Sequence, residues 1–187
     1  MDAFELMLSR ESALKLASPG PSAAELDRIF ETAVRAPDHG RLRPWHFVVI
    51  GEGQRAAFGA LMAEALRRRD PSASDAECQR ERDKAFRAPV IVAVAAKVQK
   101  GHKIPEIEQI ASASAAAQTI MLAAPALGYG AVWKTGAPAY DPTVKTALGL
   151  SEDDDIIGFL YIGTRTGGSS PLPRPQAADF VTIWAGH

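Results

Sequence analysis

The stretch from Glu106 to Leu127 constrains this fold more than any other part of the chain. It is the longest helical candidate, and its middle, Ala111 to Ala117, holds only Ala and Ser. Small side chains let another backbone come close, and a helix with no strongly polar face has to be covered by something. The expectation is that a partner subunit covers it. Gly128-Tyr129-Gly130 then ends the helix and releases the chain into a short strand, Ala131-Val132-Trp133-Lys134. A scaffold helix of this kind implies one layered domain spanning 1–187, and no internal repeat or second domain is visible.

The other elements arrange themselves around that helix. Asp2 caps a short helix carrying Phe4, Met7 and Leu8 and ending near Arg10, after which Ser18-Pro19-Gly20-Pro21 breaks the chain. Ser22-Ala23-Ala24-Glu25 is a capping box. The helix it opens carries Leu26, Ile29, Phe30, Ala33 and Val34 as a core stripe, and Pro37 stops it. His46 to Ile50 reads as a buried strand, with His46 a structural residue at its start. A helix follows with Phe58, Leu61, Met62, Ala65 and Leu66 inside and Arg67, Arg68 and Arg69 at its end. Residues 70–85 are highly charged and read as a solvated helix plus loop. Val90 to Ala95 is apolar on both faces, which marks a central strand. Asp141-Pro142 starts a small helix closed by Gly149, and Ile156 to Gly163 is a further strand. A Pro-rich run at 171–175 leads to Phe180-Val181-Thr182-Ile183-Trp184, too apolar to be left in solvent. The fold class is therefore α+β, with helices around a small mixed or antiparallel sheet.

Composition excludes several function classes. The 187 residues carry a formal charge of -1, which gives no general pull toward nucleic acid or an anionic membrane. No apolar run approaches the ~20 residues of a transmembrane helix. The single Cys78 excludes an internal disulfide, and His39, His46, His102 and His187 lack metal-ligand spacing. The acidic start, Met1-Asp2-Ala3-Phe4-Glu5, is unlike a secretory signal, so the cytoplasm is expected. There is no phosphate-binding P-loop and no G-x-S-x-G elbow. Gly51-Glu52-Gly53-Gln54-Arg55-Ala56 imitates a dinucleotide fingerprint, but the next strand ends in Ala96-Lys97 rather than in an acid. Those glycines read as a simple left-handed turn.

Two motifs carry chemistry. Arg10-Glu11-Ser12 offers a guanidinium and a hydroxyl two residues apart, which suits a phosphate and an attached polyol. Ala36-Pro37-Asp38-His39-Gly40-Arg41-Leu42-Arg43-Pro44-Trp45 is a Pro-bracketed turn able to cover a flat heteroaromatic ring. Together, at this separation, they resemble the N-terminal signature of the nitroreductase family of FMN-dependent oxidoreductases, in particular its short branch. The resemblance covers about residues 2–184. It implies an intertwined, two-fold homodimer with FMN bound at the interface by both chains.

On that resemblance Arg10, Glu11 and Ser12 hold the FMN phosphate and ribityl chain. Arg35 and His39 line the flavin site from across the subunit interface, and Val132, Trp133 and Lys134 lie on the strand that runs beneath the flavin. Arg165 is a further candidate for the phosphate. The chain departs from the family where Glu11 replaces a commonly basic residue and where Arg41 and Arg43 stand in for an Asn and a Gln. It departs again at Leu14, where many members place a Lys or Arg near flavin N1 and O2. That duty is expected to fall to Arg10 or Lys134. The reaction implied is ping-pong, with NAD(P)H as co-substrate reducing FMN and a nitroaromatic or quinone-type small-molecule electron acceptor reoxidising it. No side chain has to act as acid or base, because the flavin carries the chemistry. A flavin-binding carrier or sensor with little turnover is the alternative.

Overall fold

Seven consecutive buried residues, Val90–Ala96, form the strand on which the molecule is built. In the computed structural model, which describes residues 2–168 and 173–186, this strand is the third of five. The first residues of the expected 171–175 run and His187 lie outside the described residues. The strands are β1 (Leu16–Ala17), β2 (Trp45–Ile50), β3 (Val90–Ala96), β4 (Gly130–Lys134) and β5 (Asp155–Arg165). β3 pairs with β2 on one side and β5 on the other, β4 pairs with β5, and β1 joins the far end of β5 through Leu16 opposite Arg165. Every pairing is antiparallel, which resolves the expected mixed or antiparallel sheet.

Alternation along β3 and β5 sends side chains to two separate cores. Ile91, Ala93, Ala95, Phe159 and Tyr161 face one of them, which also takes Phe58 and Met62 of α3 (Arg55–Arg69) and Val144 of α6 (Pro142–Ala147). The Phe58 and Phe159 rings meet there at 5.6 Å between centroids. Val90, Val92, Val94, Leu160 and Ile162 face the other core, with Ile29 and Ala33 of α2 (Ala23–Ala33) and Ala116, Ala117, Ile120 and Ala124 of α5 (Glu106–Ala126). The result is a helix–sheet–helix sandwich. Truncating a fully buried residue such as Ile91 or Leu160 to Ala costs ~2–5 kcal/mol in cores of this kind.

The helix starts form as their sequences dictate. Ser22 Oγ accepts from the Glu25 amide at 3.3 Å while the Glu25 carboxylate accepts from the Ser22 amide at 2.8 Å. Asp2 caps α1 (Ala3–Ser9) by accepting from the Glu5 amide. Asp141 caps α6 by accepting from the amides of Thr143 and Val144. Val34 leaves the expected stripe: it caps α2 with non-helical backbone and is 45% exposed. The charged segment holds α4 (Asp75–Asp83), which is less solvated than expected because Cys78 is fully buried against α3. Arg67 Nε donates to its sulfur at 3.2 Å.

Two further expectations need correction. Within the small-residue stretch of α5, Ser112, Ala113, Ala116 and Ala117 are buried inside this same chain, against α2 and the sheet, so one side of the helix is covered without a partner. Gly51 has extended backbone (φ -85, ψ -174), and neither it nor Gly53 is left-handed; the segment Glu52–Gln54 is a 3-10 turn. The two-residue β1 was not anticipated, because its pairing comes from β5 rather than from its own pattern. The tail stands out for the opposite reason. Phe180, Val181, Ile183 and Trp184 are 66–88% exposed on the single chain, and α1 buries none of its residues.

Candidate functional site

The limb between α1 and β1 lies beside β4, tied there by the Ala13 amide donating to the Ala131 carbonyl at 2.9 Å. Gly130 makes this approach possible. A Cβ at that position would sit 2.7 Å from Leu16 Cδ2 and 2.8 Å from the Ala13 methyl. Three adjoining cavities run along this limb. The first, about 290 Å³, has Arg10, Glu11, Pro125, Gly130 and Arg165 in its walls. The second, about 220 Å³, shares Arg165 and adds Leu14, Lys15 and Gly167. The third, about 190 Å³, shares Leu14 and adds Arg87, Lys134 and Tyr161. Gly130 and Lys134, at the two ends of β4, are about 13 Å apart at ~3.3 Å per residue. The groove is therefore long and narrow.

Its charge distribution is one-sided. Arg165 pairs with Glu11, so the acidic residue in the first motif is matched by a cation from the end of β5. The side chains of Arg10, Lys15, Arg87 and Lys134 enter no hydrogen bond or ion pair among the described residues. Tyr161 is 3% exposed, and burial raises its phenol above the usual tyrosine range, which keeps it neutral. Ser12 is exposed on the same limb but does not line the cavities. Arg174 of the tail donates to the Arg10 carbonyl at 3.0 Å.

Along β4, Val132 and Lys134 face the groove side, whereas the Trp133 indole turns to the opposite core. The Trp133 Nε1 donates to the Ile157 carbonyl at 3.2 Å, and it crosses β5 where only glycine leaves room: a Cβ on Gly158 would fall 2.2 Å from Nε1. The indole is thus a packing group, and only the main chain of Trp133 remains available to a ligand.

The second motif is elsewhere. Ser112 Oγ donates to the Pro37 carbonyl at 2.7 Å, and His39 Nδ1 lies 2.6 Å from Glu108 Oε2, so the turn is docked on the first half of α5. Asp38 braces it by accepting from the Leu42 and Arg43 amides at 3.1 and 2.8 Å. Gly40, Arg41 and Arg43 all have left-handed backbone (φ 72, 58 and 51). Arg35 is exposed just beyond the end of α2.

Arg10 and His39 therefore sit at opposite ends of one helix. Pro125, near the end of α5, shares a cavity wall with Arg10, while Glu108, near its start, holds His39. The helical rise puts Glu108 and Pro125 about 25 Å apart. Sequence reasoning set His39 apart from the Arg10 of its own chain, but it missed Arg87 and Tyr161 altogether. Neither carries a local signal, since both reach the groove only through sheet pairing. The two glycines of the false fingerprint, Gly51 and Gly53, border none of the three cavities.

Among the described residues no group of His, Cys, Asp and Glu could hold a metal ion, and no helix is long and apolar enough to cross a membrane.

The model of the nitroreductase family matches residues 8–164. The "Putative NAD(P)H nitroreductase YdjA" of Escherichia coli strain K12 is 41% identical over 186 residues, which is 98% of this chain and 100% of that one. The nitroreductase-like protein of Bacillus cereus superposes with a TM-score of 0.82 at 23% identity, covering 100% of this chain and 97% of the other. A nitroreductase from Bacteroides fragilis, solved with bound FMN, gives 0.73 at 20% identity over 98% of this chain and 99% of its own. These last two likenesses establish the shared fold.

Proposed function

This chain belongs to the nitroreductase family, and from that premise we propose that it is an FMN-dependent NAD(P)H oxidoreductase working as a homodimer. The observation that carries the proposal is the groove beside β4, where Arg10, Lys15, Arg87 and Lys134 have no carboxylate partner among the described residues and Arg165 is held by Glu11. The donor set fits the cofactor. Arg10, backed by Arg165 and Lys15, presents guanidinium and ammonium groups to a phosphate, and a charge-assisted hydrogen bond of that kind contributes about 1.5–3 kcal/mol. Ser12 lies within the same limb to serve the ribityl hydroxyls, and Glu11 orients Arg165 rather than meeting the anion itself. Val132, the main chain of Trp133 and Lys134 support the ring.

FMN, when bound, supplies the acceptance of hydride from NAD(P)H and its passage to a nitroaromatic or quinone-type acceptor. The protein's part is to bind, to orient and to set local charge. Arg35 and His39 complete the site from the second chain, because within one chain α5 keeps His39 about 25 Å from the Arg10 end. The exposed apolar faces of α1 and the tail are what such a partner would cover. Glu108 holds His39 by its Nδ1, leaving Nε2 free to face the partner's ligand.

The visible spectrum of the purified protein, before and after anaerobic NADPH, tests the reading. A flavin spectrum that bleaches with NADPH and returns with a quinone is expected. A flavin spectrum indifferent to NADPH and NADH favours the carrier or sensor, and a colourless protein that takes up no FMN refutes the proposal.

A further inference from the structure

The third cavity of the groove is built unlike the others. It draws one residue from nearly every element that meets there: Leu14 from the limb, Leu16 from β1, Arg87 from the turn before β3, Val132 and Lys134 from β4, and Tyr161 from β5. Two of these six are cations and none is a carboxylate. Other cavity-lining arginines differ: Arg165, in the first and second cavities, is paired with Glu11. In a cavity of about 470 Å³ between α3 and α6, Arg68 pairs with Glu64 and Arg69 with Asp141. Beside the third cavity the nearby carboxylate, Glu81, is engaged by Lys84. Arg87 and Lys134 thus set up an uncompensated positive potential against a buried phenol that has no hydrogen-bond partner among the described residues. Such an arrangement is suited to a group that gains negative charge and accepts hydrogen bonds. Leu14, 72% exposed between the second and third cavities, offers only an apolar contact. Arg10 lines the first cavity and not this one, which removes it as the cation for this end.

We propose that Arg87, together with Lys134, is the cationic pair that faces the pyrimidine edge of the flavin and stabilises the negative charge placed there on reduction. The inference rests on the FMN reading above and adds to it a positioning charge from the turn before β3, outside both sequence motifs. Tyr161 donates its phenolic hydrogen into the same end. The protein thereby sets its flavin potential from a residue distant in sequence from its phosphate-binding limb.

The test uses the FMN-loaded protein and its two-electron midpoint potential, with flavin content and thermal melting as controls. Arg87→Gln keeps its fold and its FMN, because the guanidinium makes no hydrogen bond that the fold depends on. Its potential falls, and a tenfold loss of preference for the reduced flavin is about 30 mV for two electrons. Arg87→Lys retains most of the wild-type potential. Adding a cation to the same cavity in the double variant Leu14→Lys, Arg87→Gln restores it. A potential unchanged in Arg87→Gln with FMN bound overturns the assignment of Arg87 while leaving the flavin reading intact. A wild-type protein that binds no FMN overturns both.

Discussion

The separation of Arg10 and His39 along α5 makes the shared site testable with mixed dimers. On the proposed reading every site of an Arg10→Ala homodimer loses its phosphate guanidinium; the charge-assisted bonds at stake, about 1.5–3 kcal/mol, correspond to roughly 10- to 150-fold weaker FMN binding. His39→Ala homodimers lose the ring group from the other side, for a smaller effect of about 1 kcal/mol, or roughly fivefold. Glu108 beside His39 and Pro125 beside Arg10 are about 25 Å apart along α5, so the shared-site proposal draws the two groups from different chains. A heterodimer of an Arg10→Ala chain with a His39→Ala chain then has one doubly damaged site and one wild-type site. Differently tagged chains, co-expressed and purified through both tags, are titrated with FMN by fluorescence quenching. Half of the sites should bind with wild-type affinity and half more weakly than in either homodimer. If every site instead binds with one lesion's affinity, both groups come from a single chain, and the distance argument is wrong.

Sedimentation of the wild type at micromolar concentration should give twice the chain mass, and removing residues 180–187 should weaken the dimer, since Phe180, Val181, Ile183 and Trp184 are exposed on the single chain; a stable flavinated monomer would contradict this. Gly158→Ala puts a methyl 2.2 Å from the Trp133 Nε1 and 2.9 Å from the Lys134 carbonyl. Overpacking plus a lost hydrogen bond should cost about 2–4 kcal/mol in urea unfolding, and a loss below about 0.5 kcal/mol would refute the contact. Burial, with Lys97 adding to it, holds His46 below its ordinary value near 6.5. The folded protein therefore binds fewer protons than the unfolded chain in that range. The His46 contribution is fully present above pH 6.5 and is lost as pH falls below it. His46→Gln should flatten the stability profile between pH 5 and 7, and an unaltered slope there would count against the assignment.

Legibility from sequence followed the range of the interaction. The Ser22–Glu25 box, the Asp2 and Asp141 caps and the doubly buried β3 are written in neighbouring residues, and each was readable. Val34 was misplaced by one position at a helix end, where periodicity no longer governs. Gly51 and Gly53 were assigned the freedom glycine has, although the backbone there does not use it. The site was legible as two motifs, because Arg-x-Ser and the Pro-bracketed turn are local. The third cavity was not. Leu14, Arg87, Lys134 and Tyr161 are joined only when β4 and β3 both pair with β5. The burial of Cys78 was hidden likewise, since α4 is polar in sequence and its one buried contact depends on α3.

The braced turn after α2 has a consequence for how a ligand would meet it. Left-handed backbone at Arg41 and Arg43 carries a conformational penalty of ~1 kcal/mol or more each. Asp38, Ser112 and Glu108 hold the turn in that shape within a single chain. Its order is therefore imposed when the chain folds and not when a ligand arrives. A cofactor covered by this turn loses little affinity to freezing it, so tight binding need not come from many contacts. The same rigidity limits how far the turn can adapt its shape, and ring systems of different outline must be accommodated by the groove beside β4 instead.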